Sequence, residues 1–136
     1  MSITAKETGA TRAPHSIAAA WRRMTRPSHH RAVHELRVAA QSGDTERLAS
    51  LVNPGVAVVV ESGQTDAPEI RMVSGAYDAV ALLRHGLAVQ PGLTVLERAV
   101  NGQAGLVLRR GGRQTAAVTV DFSGRLIGSV WIRLAA

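Results

Sequence analysis

Asp121 is the residue of this chain best suited to acid–base chemistry. It closes an apolar run, and a partly desolvated carboxylate at a pocket rim can take and return a proton near neutral pH. Its competing use is to open the Phe122-Ser123-Gly124 turn by side-chain to backbone bonding, a common task for aspartate. His85 is the one histidine beyond the first predicted helix, but at 100° per residue it falls opposite the apolar stripe of its own helix, which predicts a solvated surface position. His29, His30 and His34 put two imidazoles at i, i+4, a metal-binding spacing. No carboxylate or thiolate follows at ligand spacing, so no metal site is predicted.

Tyr77 and Trp131 are half of the four aromatic residues, and each offers a ring with a hydrogen-bonding tip to a ligand cavity or to the core. On the last predicted strand Trp131 shares parity with Arg125, Ile127, Ser129 and Arg133, while Leu126, Val130, Ile132 and Leu134 make the opposite, more apolar set. If the Trp131 set points inward, Ser129 and Arg133 become pocket polar groups; if outward, Trp131 becomes a dimer contact. The candidate set is therefore Asp121 for catalysis, with Tyr77, Trp131, Ser129 and Arg133 for ligand binding. Glu61 and Glu97 are strand-borne carboxylates expected to pair with neighbouring cations. Gly111-Gly112 joins two strands and opens no helix, so no phosphate cradle and no nucleotide cofactor is implied. No spacing supports a Ser-His-acid triad.

The elements that must position these residues are most legible in the last third. Four apolar-rich runs, Leu93–Val100, Gln103–Arg110, Gln114–Asp121 and Arg125–Leu134, are separated by Asn101-Gly102, Gly111-Gly112 and Ser123-Gly124. Asn-Gly and Gly-Gly tolerate positive φ at both central positions of a tight hairpin, so the runs are predicted to pair antiparallel. Upstream, Val33, Leu36 and Ala40 mark an amphipathic helix from His30 to Gln41 that Gly43 ends. Asp44 caps a second helix, with Leu48, Leu51 and Val52 as its stripe before Asn53-Pro54. Val56–Glu61 reads as a strand buried on both faces. A polar loop over Ser62–Glu69, a short strand Ile70–Val73 and a third helix from Gly75 to about Val89, capped by Ser74, complete the order.

Composition bounds the rest. The chain has 136 residues, 46% of them hydrophobic, enough for one core. The absence of cysteine excludes disulfides, thiolate metal sites and cysteine nucleophiles. No run approaches a membrane span and no early apolar stretch makes a secretory signal, so a cytoplasmic protein without membrane contact is expected. The formal charge of +6 divides unevenly: residues 1–31 hold +5 and residues 32–136 hold +1. We therefore read residues 1–29 as a basic, disordered arm with a short helix near Ser16–Met24, and residues 30–136 as the domain. A weak polyanion contact would fall to the arm, although only Trp21 accompanies its arginines and no stacking series of aromatics is present.

The run Ala39-Ala40-Gln41-Ser42-Gly43-Asp44 with Leu48, Leu51 and Pro54 resembles the SnoaL-like branch of the nuclear transport factor 2-like superfamily. Val100 to Leu108 (VNGQAGLVL), Gly111-Gly112-Arg113, Val120-Asp121 and Gly124-Arg125-Leu126-Ile127 before Trp131-Ile132 resemble the SnoaL-like domain that ends certain extracytoplasmic-function sigma factors. The likeness spans about residues 30–134. It departs where Arg133-Leu134-Ala135-Ala136 replaces that family's usual tail, and no helical promoter-binding region precedes it in this sequence.

The resemblance implies an α+β fold, a cone-like curved mixed, mostly antiparallel sheet packed on three N-terminal helices, often a homodimer through the outer face of the sheet. The superfamily includes polyketide cyclases, isomerases, hydrolases and non-enzymatic binding modules, and the cyclases use an aspartate as acid–base group. The fold does not choose among them. With few ionisable groups on the predicted pocket-forming elements, the expected function is a non-enzymatic module, regulatory or otherwise, that binds a small apolar molecule or a protein partner. The alternatives are a small cyclase-, isomerase- or hydrolase-type enzyme using Asp121, and a truncated relative of a sigma factor acting in transcription.

Overall fold

A computed structural model describes residues 29–64 and 66–135. The expected basic arm and its short helix lie, apart from His29, outside these residues. Helix α1 is already formed at residue 29 and runs to 42. Gly43, at φ +70°, turns the chain, and Asp44 accepts a 3.0 Å hydrogen bond from the Arg47 amide to start α2, Thr45–Leu51. This is the N-cap the sequence predicts: a side-chain oxygen satisfies one of the orphan amides of the first turn.

Strand β1, Val52–Gln64, follows α2 directly, and β2, Ala67–Ser74, folds back on it antiparallel. Two expectations are corrected here. Val52 begins the strand instead of closing the helix, and the segment read as a loop over Ser62–Glu69 forms the facing ends of a β-hairpin, because Ser62–Gln64 pair with Ala67–Glu69. Helix α3, Ala76–Leu87, starts after Gly75 with no side-chain cap, because the expected cap Ser74 is the last residue of β2; it carries its buried Ala79, Val80, Leu83 and Leu87 on one stripe. Strands β3, Leu93–Val100, and β4, Gln103–Arg110, keep the predicted bounds, and β5, Arg113–Ser123, and β6, Leu126–Leu134, shift by one to two residues. Asn101 (φ 51°) and Gly102 (φ 81°) supply the two positive φ values their turn needs, as hairpin twist demands.

The sheet is mixed, curved and unclosed, in the order β2-β1-β6-β5-β4-β3. Only β1 and β6 are parallel neighbours; the other pairs are antiparallel. Its inner face presents Val56, Val58, Val130, Val120, Val118, Leu106, Leu108 and Val95 to one core shared with Val33, Leu36 and Ala39 of α1, Leu48 of α2 and the α3 stripe. Burial of this aliphatic set is the main force holding helices to sheet. Among the described residues no helix is long and apolar enough to cross a membrane.

Two glycines permit close strand approach. A Cβ on Gly105 would lie 2.5 Å from the Val118 carbonyl oxygen and 2.9 Å from Val100 Cγ2, and one on Gly128 would lie 2.6 Å from Ser123 Cβ. Gly128 sits opposite the irregularity between Asp121 and Phe122, where Ile127 and Ser129 face successive β5 residues. That slip breaks the expected parity of β6: Ile127 joins the core with Val130 instead of sharing the Trp131 face, as a one-residue bulge requires.

Candidate functional site

The pairing decides the face of Trp131. Val58 and Val130 are partners and both are buried, so the alternate positions Val59 and Trp131, also partners, point away from the helices. Met72 pairs with Val59 and Thr119 pairs with Trp131. The outer face therefore carries a row, Met72-Val59-Trp131-Thr119, across β2, β1, β6 and β5. A second row runs beside it as Ile70-Glu61-Arg133-Ala117. Met72 is 65% exposed, Ile70 59% and Trp131 42%, while Val59, covered between Met72 and Trp131, is buried. Large apolar side chains gathered on one exposed face are the feature that distinguishes a contact surface from scattered surface residues.

Beside Trp131 this face carries a small groove of about 30 Å³ lined by Glu61, Val100, Asn101, Ala117, Thr119, Trp131 and Arg133. Gly105 makes the hollow: lacking a Cβ, it lets Val100 close over β4, so the tip of the β3–β4 hairpin forms one wall. Arg133 Nε stands 3.5 Å from Glu61 Oε1, its register partner. The groove thus has an aromatic floor, an internally paired charge and two uncharged polar side chains, Asn101 and Thr119.

The Trp131 set points outward, the alternative that makes Trp131 a surface contact, and Arg133 meets it in this outer-face groove and not in a pocket on the inner face. Ser129 and Asp121 are register partners farther along the same face, and Asp121 is exposed. Tyr77 projects into solvent from the first turn of α3, 88% exposed, apart from the other four. His85 is exposed, as its helical angle predicts, and lines a shallow second depression of about 420 Å³ with Gln41, Ser42, Arg84 and Val89.

A polar cluster joins α1 to β3 at the margin of the inner face: Glu97 pairs with an arginine as expected, but its partners come from α1 and not from a neighbouring strand. Arg37 Nε donates to Glu97 Oε2 at 2.7 Å, His34 Nδ1 lies 2.9 Å from the same oxygen, and Arg37 also donates to Gln41 Oε1 at 3.0 Å. Burial by itself would raise the Glu97 pKa; the hydrogen bonds from His34 and Arg37 and their charge outweigh it and hold the carboxyl below its usual value. The spacing of His34 and Arg37, one helical turn apart on α1, was the available signal. Their partner lies 60 or more residues away, beyond the reach of local pattern. The cluster is a held carboxylate, suited to fixing α1 on the sheet. Among the described residues no three His, Asp or Glu side chains converge as a metal site requires.

No protein-family model matches the sequence, and no curated protein matches it either. Solved structures do match. A Kribbella flavida protein assigned as a ketosteroid isomerase superposes with a TM-score of 0.54 at 15% identity, over 82% of this chain and 81% of that one. An NTF-2 like protein of unknown function from Burkholderia xenovorans gives 0.53 at 15%, over 82% and 86%. The Mycobacterium tuberculosis extracytoplasmic function sigma factor SigJ gives 0.56 at 18%; the match covers 90% of this chain but 47% of the sigma factor. At these identities the likeness is one of fold. The three helices and the curved six-stranded sheet of this chain make the nuclear transport factor 2-like fold.

Proposed function

We propose that this protein is a non-enzymatic binding module that takes an apolar group, a small molecule or a partner's side chain, on the outer face of its sheet. The observation that carries the reading is the placement of Trp131 and Met72 over Val59 beside the Trp131 groove. The inner face supports it by contrast. There the strands present aliphatic side chains packed into the core, and Glu97 at the margin is engaged by Arg37 and His34, which leaves it poorly placed to exchange protons with a substrate. Asp121 stands exposed and outside the groove. Residues 30–136 are the unit to which we assign this function.

The test uses 1-anilinonaphthalene-8-sulfonate as the apolar probe. In a Trp21→Phe background, Trp131 is the single tryptophan; energy transfer from it reports probe bound to the domain, and the substitutions locate it on the outer face. We expect binding to the folded protein, lost in Trp131→Asp, weakened in Met72→Ser and unchanged in Asp121→Asn, all with native circular dichroism. Probe fluorescence indifferent to Trp131→Asp, or transfer abolished by Asp121→Asn alone, refutes the assignment.

A further inference from the structure

We propose that two copies of this chain join edge to edge through β2, in antiparallel register centred on Ile70, to continue the six-stranded sheet into one of twelve. This goes beyond the outer-face reading and does not depend on it. Strand β2 is an outermost strand of the sheet. Seven of its eight residues are exposed, and among the described residues no strand pairs with its far side, which leaves the backbone template that sheet edges present to another chain. Native edges are commonly blunted by shortness, charge, proline, a bulge or covering; β2 carries Pro68, Glu69 and Arg71, yet it is eight residues long, in unbroken register with β1 and exposed. Pro68 is the one residue that lacks an amide hydrogen.

Charge selects the occupant and the register. Glu69 and Arg71 flank Ile70 and lie on the same face of β2, opposite Ser62 and Val60 of β1. Neither makes an ion pair or side-chain hydrogen bond among the described residues. Placing a second β2 antiparallel with Ile70 facing Ile70 sets each Glu69 opposite the Arg71 of the other copy, twice over by symmetry. Ile70 then meets Ile70, and Met72 meets Pro68, on the outer face. Shifting the centre to Glu69 or to Arg71 puts like charges face to face, and centring on Met72 places Glu69 opposite Gly75 and Arg71 opposite Val73, pairing neither charge. Opposite charges directly across strands stabilise and like charges repel, so the strand is self-complementary in one of these four registers, as a two-fold interface requires.

Sedimentation velocity of the full chain tests the proposal. We expect a reversible dimer. Glu69→Lys and Arg71→Glu, each of which turns two attractive pairs into repulsive ones, should each weaken it by about tenfold. The charge-exchanged double variant, Glu69→Arg with Arg71→Glu, restores the opposition and should recover the dimer. Both sites are exposed, and thermal melts of the variants confirm that the fold survives. A monomeric wild-type chain, a dimer insensitive to either single change, or a double variant that fails to recover overturns the proposal. Loss of the dimer in Trp131→Asp with retention in Glu69→Lys would place self-association on the outer face and overturn it too. Probe binding at Trp131 is read separately, so failure of one assignment is distinguishable from failure of the other.

Discussion

Gly105→Ala should destabilise the protein through one methyl group placed against backbone. The added Cβ would lie 2.5 Å from the Val118 carbonyl oxygen, with Val100 Cγ2 at 2.9 Å and Val100 Cβ at 3.1 Å. The oxygen belongs to β5, whose Val118 is paired with Leu106 of β4 and Ile132 of β6, so it cannot withdraw as the end of a flexible side chain could. Overpacking of this kind costs typically about 1–3 kcal/mol, and the backbone partner puts Gly105 at the upper end. Against this, alanine restricts the unfolded chain and returns about 0.4–1 kcal/mol. The net expectation is a loss of about 2 kcal/mol, or roughly 8 °C in Tm for a domain of this size. Gly86→Ala is the matched control: Gly86 lies within α3 with nothing within 4 Å of the added Cβ, and the same substitution there should stabilise by about 0.5–1 kcal/mol. Urea unfolding of both variants measures the pair. Because Val100 walls the groove, Gly105→Ala should also weaken probe binding. A Gly105→Ala protein as stable as wild type would show that β4 and β5 are not held at this separation, and the account of the groove would fall with it.

Further outcomes concern the helices. Removing the N-cap by Asp44→Ala should cost about 1 kcal/mol, read from the same unfolding curves. Glu97 has its pKa lowered in the folded state, so its contribution to stability is fully present above the ordinary carboxylate value and is lost as pH falls through the lowered one. Glu97→Gln should accordingly narrow its stability gap from wild type on acidification from pH 6 to pH 3. The gap at pH 6 should be at most about 1 kcal/mol, because the pair is partly exposed and screened. A gap that widens in acid would contradict the assigned direction.

How much of this was legible in the chain depends on the range over which each feature is determined. The β3–β4 hairpin was read to the residue because Asn101-Gly102 fixes turn type and register locally. The N-cap at Asp44 followed from a carboxylate placed just before an apolar stripe, and the surface position of His85 from helical spacing. Strand β2 gives little signal because seven of its eight residues are exposed, leaving no buried alternation to recognise, so its first three residues, Ala67–Glu69, read as loop. The double-sided burial of Val58 and Val59 was anticipated from a β-branched run, although the cover over Val59 comes from Met72 and Trp131 on neighbouring strands.

The candidate site lay beyond the sequence for the same reason. Alternation sorts Trp131 and Arg133 from Val130 and Ile132, but a period of two assigns sets and not faces; the parallel pairing of Val58 with Val130, more than 70 residues apart, assigned Trp131 to the outside. The slip opposite Gly128 then moved Ile127 out of its expected set, and the contact of Arg37 and His34 with Glu97 required α1 and β3 to meet in space. Local backbone chemistry determined the turns, the caps and the strands they bound. Which side chains share a surface was decided only when strands distant in the chain paired, because that choice depends on the burial of the whole core and not on any one segment.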